Sequence, residues 1–496
     1  MKINIKNTLI KGTMILTLAG ILSRILGFFY RIYLTRTIGA EGIGLFQLIT
    51  PVMGIVFALC SSGVQTGISK FAATSKKGTE WLIAGLLISL PLSILSAITV
   101  YIGADYISSH ILLNPECSNL LRIMAVSFPF SAFHNCINGF YYGKKCAIVP
   151  AFSQLFEQLI RIGVVFLYAD YCLKLNIHVT VTCAIYGNIA GELASCLFCI
   201  IVLVIHKHFI FSIKKTFLHT QTILKFSTPL TFNKLLMHLL QSGEAILIPA
   251  QLLAFGHNQA EALSIYGVLN GMVLPLILFP CAITNSLSVM LLPEISHAQA
   301  HEDERMIIRT IKSSVYLCVI MGIISTLLFI FYGASIGSAI FDEPLVYTFS
   351  LVIAWLCPFV YLTTTLGSVL NGLGFTTTTC IHNILCIIIR ITALILFVPK
   401  YGITGYLIGL LCAQIFICFA HYIKISRMFS LSLNTYDLIL IPLLYCLIAV
   451  GMSLIVYDIL CYFNIFSLTI TQCICACIAG LIALILIYHS KKYKKL

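Results

Sequence analysis

Residues 18–39 read LAGILSRILGFFYRIYLTRTIG. The run is long and apolar enough to cross a bilayer as a helix. Yet it carries Arg24 and Arg31, with Arg36 near its end. An arginine at the centre of a membrane costs about 2.5–3.5 kcal/mol on insertion scales. A helix that tolerates two of them has something wet or anionic to face.

The spacing says which side that is. Thr13, Thr17, Gly20, Arg24, Gly27 and Arg31 follow one another at steps of three and four, the repeat of a single helix face. Ile15, Leu18, Leu22, Ile25, Phe29 and Ile32 repeat the same period on another face. The second face suits lipid and the first suits water. Two further segments carry a polar stripe of this kind. One runs through Gln47, Thr50, Gly54, Ala58, Ser61 and Gln65, the other through Ser227, Thr231, Lys234, His238 and Gln241. Three such helices predict a hydrated cavity with a cationic wall. Its candidate residues are Arg24, Arg31, Lys234, Gln47 and Gln65, with Arg36 at the rim. Small stripes also serve helix packing, and arginines near helix ends can snorkel to headgroups.

The whole chain has the same character. Of its 496 residues 59% are hydrophobic and 9% charged, where a soluble protein carries about 25% charge. It reads as an all-α polytopic membrane protein, because only a helix satisfies its own backbone in lipid without closing a barrel. Apolar runs at 12–35, 42–72, 80–103, 119–143, 148–169, 180–205, 223–255, 262–292, 311–333, 346–372, 377–398, 403–424, 435–457 and 466–489 predict about fourteen transmembrane helices.

Sorting the connections by side leaves most of the cations on one of them. Lys70, Lys144, Lys145, Lys225, Arg305, Arg309, Lys424, Arg427 and the tail lysines Lys491, Lys492, Lys494 and Lys495 fall together, whereas Arg36, Lys174 and Lys400 fall opposite. The positive-inside rule places the first set, and both termini, in the cytoplasm of a plasma-membrane protein. The basic start MKINIKNTLIKGT has no small-residue cleavage site after it and reads as leading into an uncleaved first span. The net charge of +13 is then a cytoplasmic rim facing anionic lipid, and needs no nucleic acid. The twenty cysteines are scattered through apolar runs. Cys196, Cys199 and the CICAC run at 473–477 lack the companion ligands of a metal site and read as helix packing.

An internal echo gives the domain plan. SQLFEQLIRIGVVFL (153–167) aligns without a gap on HNILCIIIRITALIL (382–396), bringing Arg161 onto Arg390. INGFYYG (137–143) precedes the first as LNGLG (370–374) precedes the second. The offset is six spans, an even number, so the halves share an orientation in a parallel repeat. The plan is an N-lobe at 1–205, a cytoplasmic amphipathic linker at 206–221, a C-lobe at 222–428, and two further helices with a basic tail at 429–496. Glu157 and Arg161, four apart with the acid first, suit an ion pair within one helix. Glu192, Glu244 and Arg390 complete the ionisable residues expected inside the membrane, as buried pairs or ion-coupling groups. Pro51, Pro229, Pro275, Pro280 and Pro358 predict bends.

Two stretches resemble a known family. SRILGFFYRIYLTRTIGAEGIGLFQLITP (23–51) and IYGVLNGMVLPLILFPCAITNSLSVMLLPEISHAQA (265–300) are similar to the stage V sporulation protein B and polysaccharide-exporter family. That family lies in the multidrug/oligosaccharidyl-lipid/polysaccharide (MOP) flippase superfamily, which also holds the lipid II flippase MurJ. The resemblance implies two pseudo-symmetric six-helix bundles in a V shape, two C-terminal helices, and export of lipid-linked sugars. In the MurJ-like start a second arginine follows the first by six residues. Here it follows by seven, so Arg24 matches and Arg31 matches approximately.

The expected function is therefore a flippase for a polyprenyl-pyrophosphate saccharide, a lipid II-like peptidoglycan precursor or another polysaccharide repeat unit, in cell-wall or spore-cortex synthesis. Paired guanidinium donors suit a diphosphate. No G-x-x-x-x-G-K-[ST] run is present, so the drive is expected from membrane potential, Na+ or H+, with no other cofactor and no metal. A cation-coupled multidrug exporter of the same superfamily is the first rival, although the ionisable residues placed within spans 1 and 7 are mainly basic. A membrane glycosyltransferase or ligase is the rival from another class. It would need a spaced acid–base pair, and the short mixed-sign run at Glu302, Asp303 and Glu304 supplies none. The chain does not read as an enzyme.

Overall fold

The computed structural model describes residues 5–75, 78–206, 213–431, 434, 436–462 and 468–494. Among them the chain is almost entirely helical. The first unit holds α1 (Ile5–Phe57), α2 (Gly63–Thr74), α3 (Thr79–Ile102), α4 (Ala104–Tyr106), α5 (Cys117–Ala125), α6 (Phe128–Gly143), α7 (Ile148–Lys174), α8 (Thr182–Ile205) and most of α9 (Ile213–Phe255). The second holds α10 (Gln259–Gly267), α11 (Leu274–Leu278), α12 (Cys281–Ala300), α13 (Glu304–Phe341), α14 (Leu345–Ile353), α15 (Leu356–Gly372), α16 (Thr376–Tyr401), α17 (Ile403–Ser426), α18 (Ile441–Tyr462) and α19 (Leu468–Lys494).

Nine helices among the described residues are long and apolar enough to cross a membrane, or eleven if each of two bent pairs is one span. The count of fourteen is not reached, for identifiable reasons. One continuous segment, Leu18–Ala73, covers what the apolar pattern divides into two spans. Gly39 breaks it, with φ 74 and ψ 177, a conformation open to glycine at little cost. Further along, α9 carries Lys225, Lys234 and Glu244 with internal Pro229 and Pro249, which leaves it short of a plain apolar span. In α19 only Ile474–Ile487 stands out as a short apolar helix.

The chain divides into two compact units, Met1–Ala250 and Gln251–Leu496. The division falls inside α9, not at the 206–221 linker, of which residues 207–212 lie outside the described set, as does the end of the basic tail. Packing explains why α9 belongs with the first unit. A Cβ on Gly63 would sit 2.1 Å from the Thr231 hydroxyl and 2.8 Å from the Ser227 carbonyl, and one on Gly54 2.9 Å from the His238 ring. Thus part of the polar stripe of α9 is a close packing seam against α1 and α2, of the kind small residues permit in membranes.

Each unit repeats one local plan. A bent pair is followed by a long helical hairpin: α5 and α6 bend by 45° ahead of α7 and α8, and α14 and α15 bend by 55° ahead of α16 and α17. The α16–α17 turn uses Gly402 at φ 61. The first unit is held by a core of Val64, Ile68, Leu82, Ile137 and Phe140, and the second by Leu291, Ile295, Leu366 and Val369. The last two helices, α18 and α19, pack on α13 through Ile324, Tyr332, Ala449, Cys475 and Ala479, while Leu447, Ile455 and Leu484 stay exposed.

Candidate functional site

Arg24, Arg31 and Arg36 of α1 are all exposed. So are Leu18, Leu22 and Phe29 on the apolar face. A third face packs on α7 and α8, where Tyr30 and Leu34 meet Val165 and Cys183. The helix therefore presents one surface to protein, one of leucine and phenylalanine, and one of arginine. Lys234, also exposed, donates a hydrogen bond to the Ser62 carbonyl at 3.3 Å. No hydrogen bond or ion pair joins it to Arg24 or Arg31 among the described residues. Gln47 is half-buried, and Gln65 lies in the seam with α6, where a Cβ on Gly139 would stand 2.7 Å from its carbonyl. Glu244 is buried and Arg390 half-buried in the second hairpin's first helix.

The acids come together elsewhere, in a cavity of about 320 Å³ inside the first unit. Its wall is built from α1 and the π-turn Ala58–Ser62 (Thr50, Met53, Gly54, Cys60, Ser61), from α6 (Phe128, Ser131, His134, Asn135), and from Glu157 of α7 and Glu192 of α8. Three members of the second stripe, Thr50, Gly54 and Ser61, thus line it. A π-turn widens a helix locally and is frequent at functional sites.

Within the wall, the His134 Nε2–H donates to Glu192 Oε2 at 2.7 Å, and both side chains are more than nine-tenths buried. Asn138 Nδ2 lies 3.4 Å from His134 Nδ1 and 3.5 Å from the Ser153 hydroxyl, which is 2.6 Å from that of Ser195. Beside this chain, Glu157 accepts from Arg161 in the expected i,i+4 ion pair, and Arg161 also donates to Gln158 Oε1 at 3.2 Å. Holding such groups in the interior is tolerable only because each has a hydrogen-bonding partner. Glycines let the two helices close around them. A Cβ on Gly191 would meet the Glu157 carbonyl at 2.9 Å and Arg161 Cβ at 3.3 Å, and one on Gly187 the Arg161 carbonyl at 3.0 Å.

His134 escaped the sequence reading. It is the one histidine in SAFHNCINGF, with no acid at helical spacing on its own helix, and its carboxylate partner is 58 residues away. Cys199, singled out with Cys196, packs against this network, its thiol 3.6 Å from the Ser153 hydroxyl. Among the described residues the cysteines form no disulfide.

The comparisons with known proteins agree with this architecture. Residues 9–299 match the polysaccharide biosynthesis protein family. The chain belongs to that family. It is 27% identical over 453 residues to stage V sporulation protein B of Bacillus subtilis (strain 168), covering 86% of each chain. Among solved structures, lipid II flippase MurJ in an inward closed conformation superposes with a TM-score of 0.70 at 16% identity, over 97% of this chain and 99% of that one. An inward-facing multidrug resistance MATE family transporter of the MOP superfamily gives 0.66 at 14% identity, over 82% and 94%. The fold of this family member is thus that of MOP-superfamily transporters in a multi-pass membrane protein.

Proposed function

We propose that this protein is a flippase that moves a polyprenyl-diphosphate-linked saccharide across the plasma membrane by alternating access, with both termini cytoplasmic. The observation that carries the reading is the exposed arginine face of α1, Arg24 and Arg31 two turns apart on a helix whose opposite surface is apolar. Seven residues at 1.5 Å per residue separate them by about 10.5 Å near one azimuth, so their heads can converge on an elongated anion. Guanidinium offers planar paired donors to diphosphate oxygens, replacing the water the headgroup leaves behind. The family match and the relative named for sporulation support a saccharide or cell-envelope cargo. The MurJ-like fold supports lipid II or a close analogue as its type. A polyprenyl tail stays in lipid throughout, so only the headgroup needs a polar path.

The same fold also serves MATE transporters, and the buried acids of the first unit keep a cation-coupled drug exporter as the second reading. The two differ in what accumulates when the protein is lost. Deleting the gene under conditions where it is expressed should raise the pool of lipid-linked saccharide precursor, measured by mass spectrometry of the lipid extract. An unchanged pool, together with a gain in drug sensitivity, would favour the exporter. Energy for the cycle is taken from an ion gradient or the membrane potential, at about 2.3 kcal/mol per elementary charge per 100 mV.

A further inference from the structure

The arrangement around His134 specifies more than a buried ion pair. With Nε2–H donating to Glu192, the ring's Nδ1 is left facing Asn138 Nδ2 at 3.4 Å. An amide NH₂ can only donate, so Nδ1 is the acceptor and the imidazole is neutral in this state. The charges of the cluster then add to one net negative: Glu192 bears one, and Glu157 is cancelled by Arg161. Other titratable groups nearby are Cys60 of the π-turn, which lines the same cavity, and His238 of α9, which stands against Gly54.

We propose that His134 is the carrier of a coupling proton, taken up on Nδ1 from the cavity, and that Asn138 is the positioning residue that registers it. Uptake converts Nδ1 from acceptor to donor. The imidazolium then has Glu192 on one side, and Asn138 must turn its amide to present Oδ1 on the other. The proton comes from cavity water and leaves by the same nitrogen. The cluster passes from net negative to neutral and back, with no other bond made or broken. The turn of Asn138 withdraws its NH₂ from the Ser153 hydroxyl, and Ser153 is half of the Ser153–Ser195 bond that ties α7 to α8. Protonation on one helix thereby alters a seam between two others.

The same geometry disfavours sodium. A hard cation takes its ligands from oxygen, and here a carboxylate oxygen of Glu192 is held by His134 and one of Glu157 by Arg161.

The inference rests on the reading as a transporter, and the test separates the two. Purified full-length protein is titrated with a pH-indicator dye, and the protons taken up between alkaline and acidic pH are counted for wild type, His134→Gln and Glu192→Gln. His134→Gln should bind about one proton fewer than wild type, whereas Glu192→Gln, which keeps the imidazole but removes the carboxylate beside its charged form, should move the uptake to more acidic pH. Asn138→Leu should shift the midpoint while leaving the number unchanged. In proteoliposomes loaded with a fluorescent lipid-linked saccharide, a pH gradient should accelerate the wild type and not His134→Gln, and a sodium gradient at equal pH should accelerate neither. A proton count equal to wild type in folded His134→Gln would overturn the assignment, as would an unshifted uptake in Glu192→Gln or acceleration of the wild type by sodium alone. A wild type that takes up the proton but moves no saccharide upholds the proton site and refutes the flippase reading.

Discussion

At the scale of single residues, the first unit separates two kinds of charge. Arginines on α1 are exposed, whereas Glu192 on α8 is buried and Glu157 on α7 half-buried, each held by a side-chain partner. The separation gives two distinct predictions. Replacing Arg24 by Lys keeps the charge but loses the planar donor pair, and replacing it by Ala loses both. A hydrogen bond to a charged group contributes about 1.5–3 kcal/mol. Arg24→Ala should therefore slow transport by about ten- to a hundredfold, with Arg24→Lys intermediate and membrane abundance unchanged in both. A fall in abundance that matches the fall in transport would point to a structural role instead. Gly191 tests the other group. A side chain there meets the Glu157 carbonyl and Arg161 Cβ, so Gly191→Val should cost about 1–3 kcal/mol through overpacking. A thermal unfolding profile of the purified variant identical to wild type would contradict that packing account.

At the scale of elements, orientation is the testable quantity. The loop between α6 and α7 contains Lys145, and α7, 27 residues long, ends at Lys174. Both lysines are exposed. In a background freed of native cysteines, Lys174→Cys should react with an impermeant reagent added to intact cells, and Lys145→Cys should react only after permeabilisation. The reverse pattern would invert the topology. Much of this level was legible in the sequence, since apolar length and cation asymmetry act through the bilayer and need no tertiary contact. The break at Gly39 falls in the gap between the first two apolar runs, where a glycine could be suspected but its conformation could not be known. Other features were hidden because they belong to packing. The seam of α9 against Gly54 and Gly63 arises from a neighbour far along the chain. The π-turn Ala58–Ser62 has no composition of its own. His134 acquires its meaning only from Glu192 on another helix. Glu157 and Arg161, by contrast, share one helix at i,i+4, and that pair was readable.

At the scale of the whole molecule, this membrane protein of the polysaccharide biosynthesis family is proposed to carry a diphosphate headgroup past an arginine face. The cavity beside the buried acids, about 320 Å³, falls at the small end of ligand pockets. It is small for a lipid-linked sugar, and under the proposed function the cargo meets the exposed cationic surface instead. The most direct measurement is the movement of a fluorescent polyprenyl-diphosphate saccharide in proteoliposomes, comparing wild type with the Arg24→Ala, Arg31→Ala double variant at equal amounts of folded protein. The account predicts robust transport by the wild type and its loss in the double variant. Wild-type rates in a well-folded double variant would contradict it.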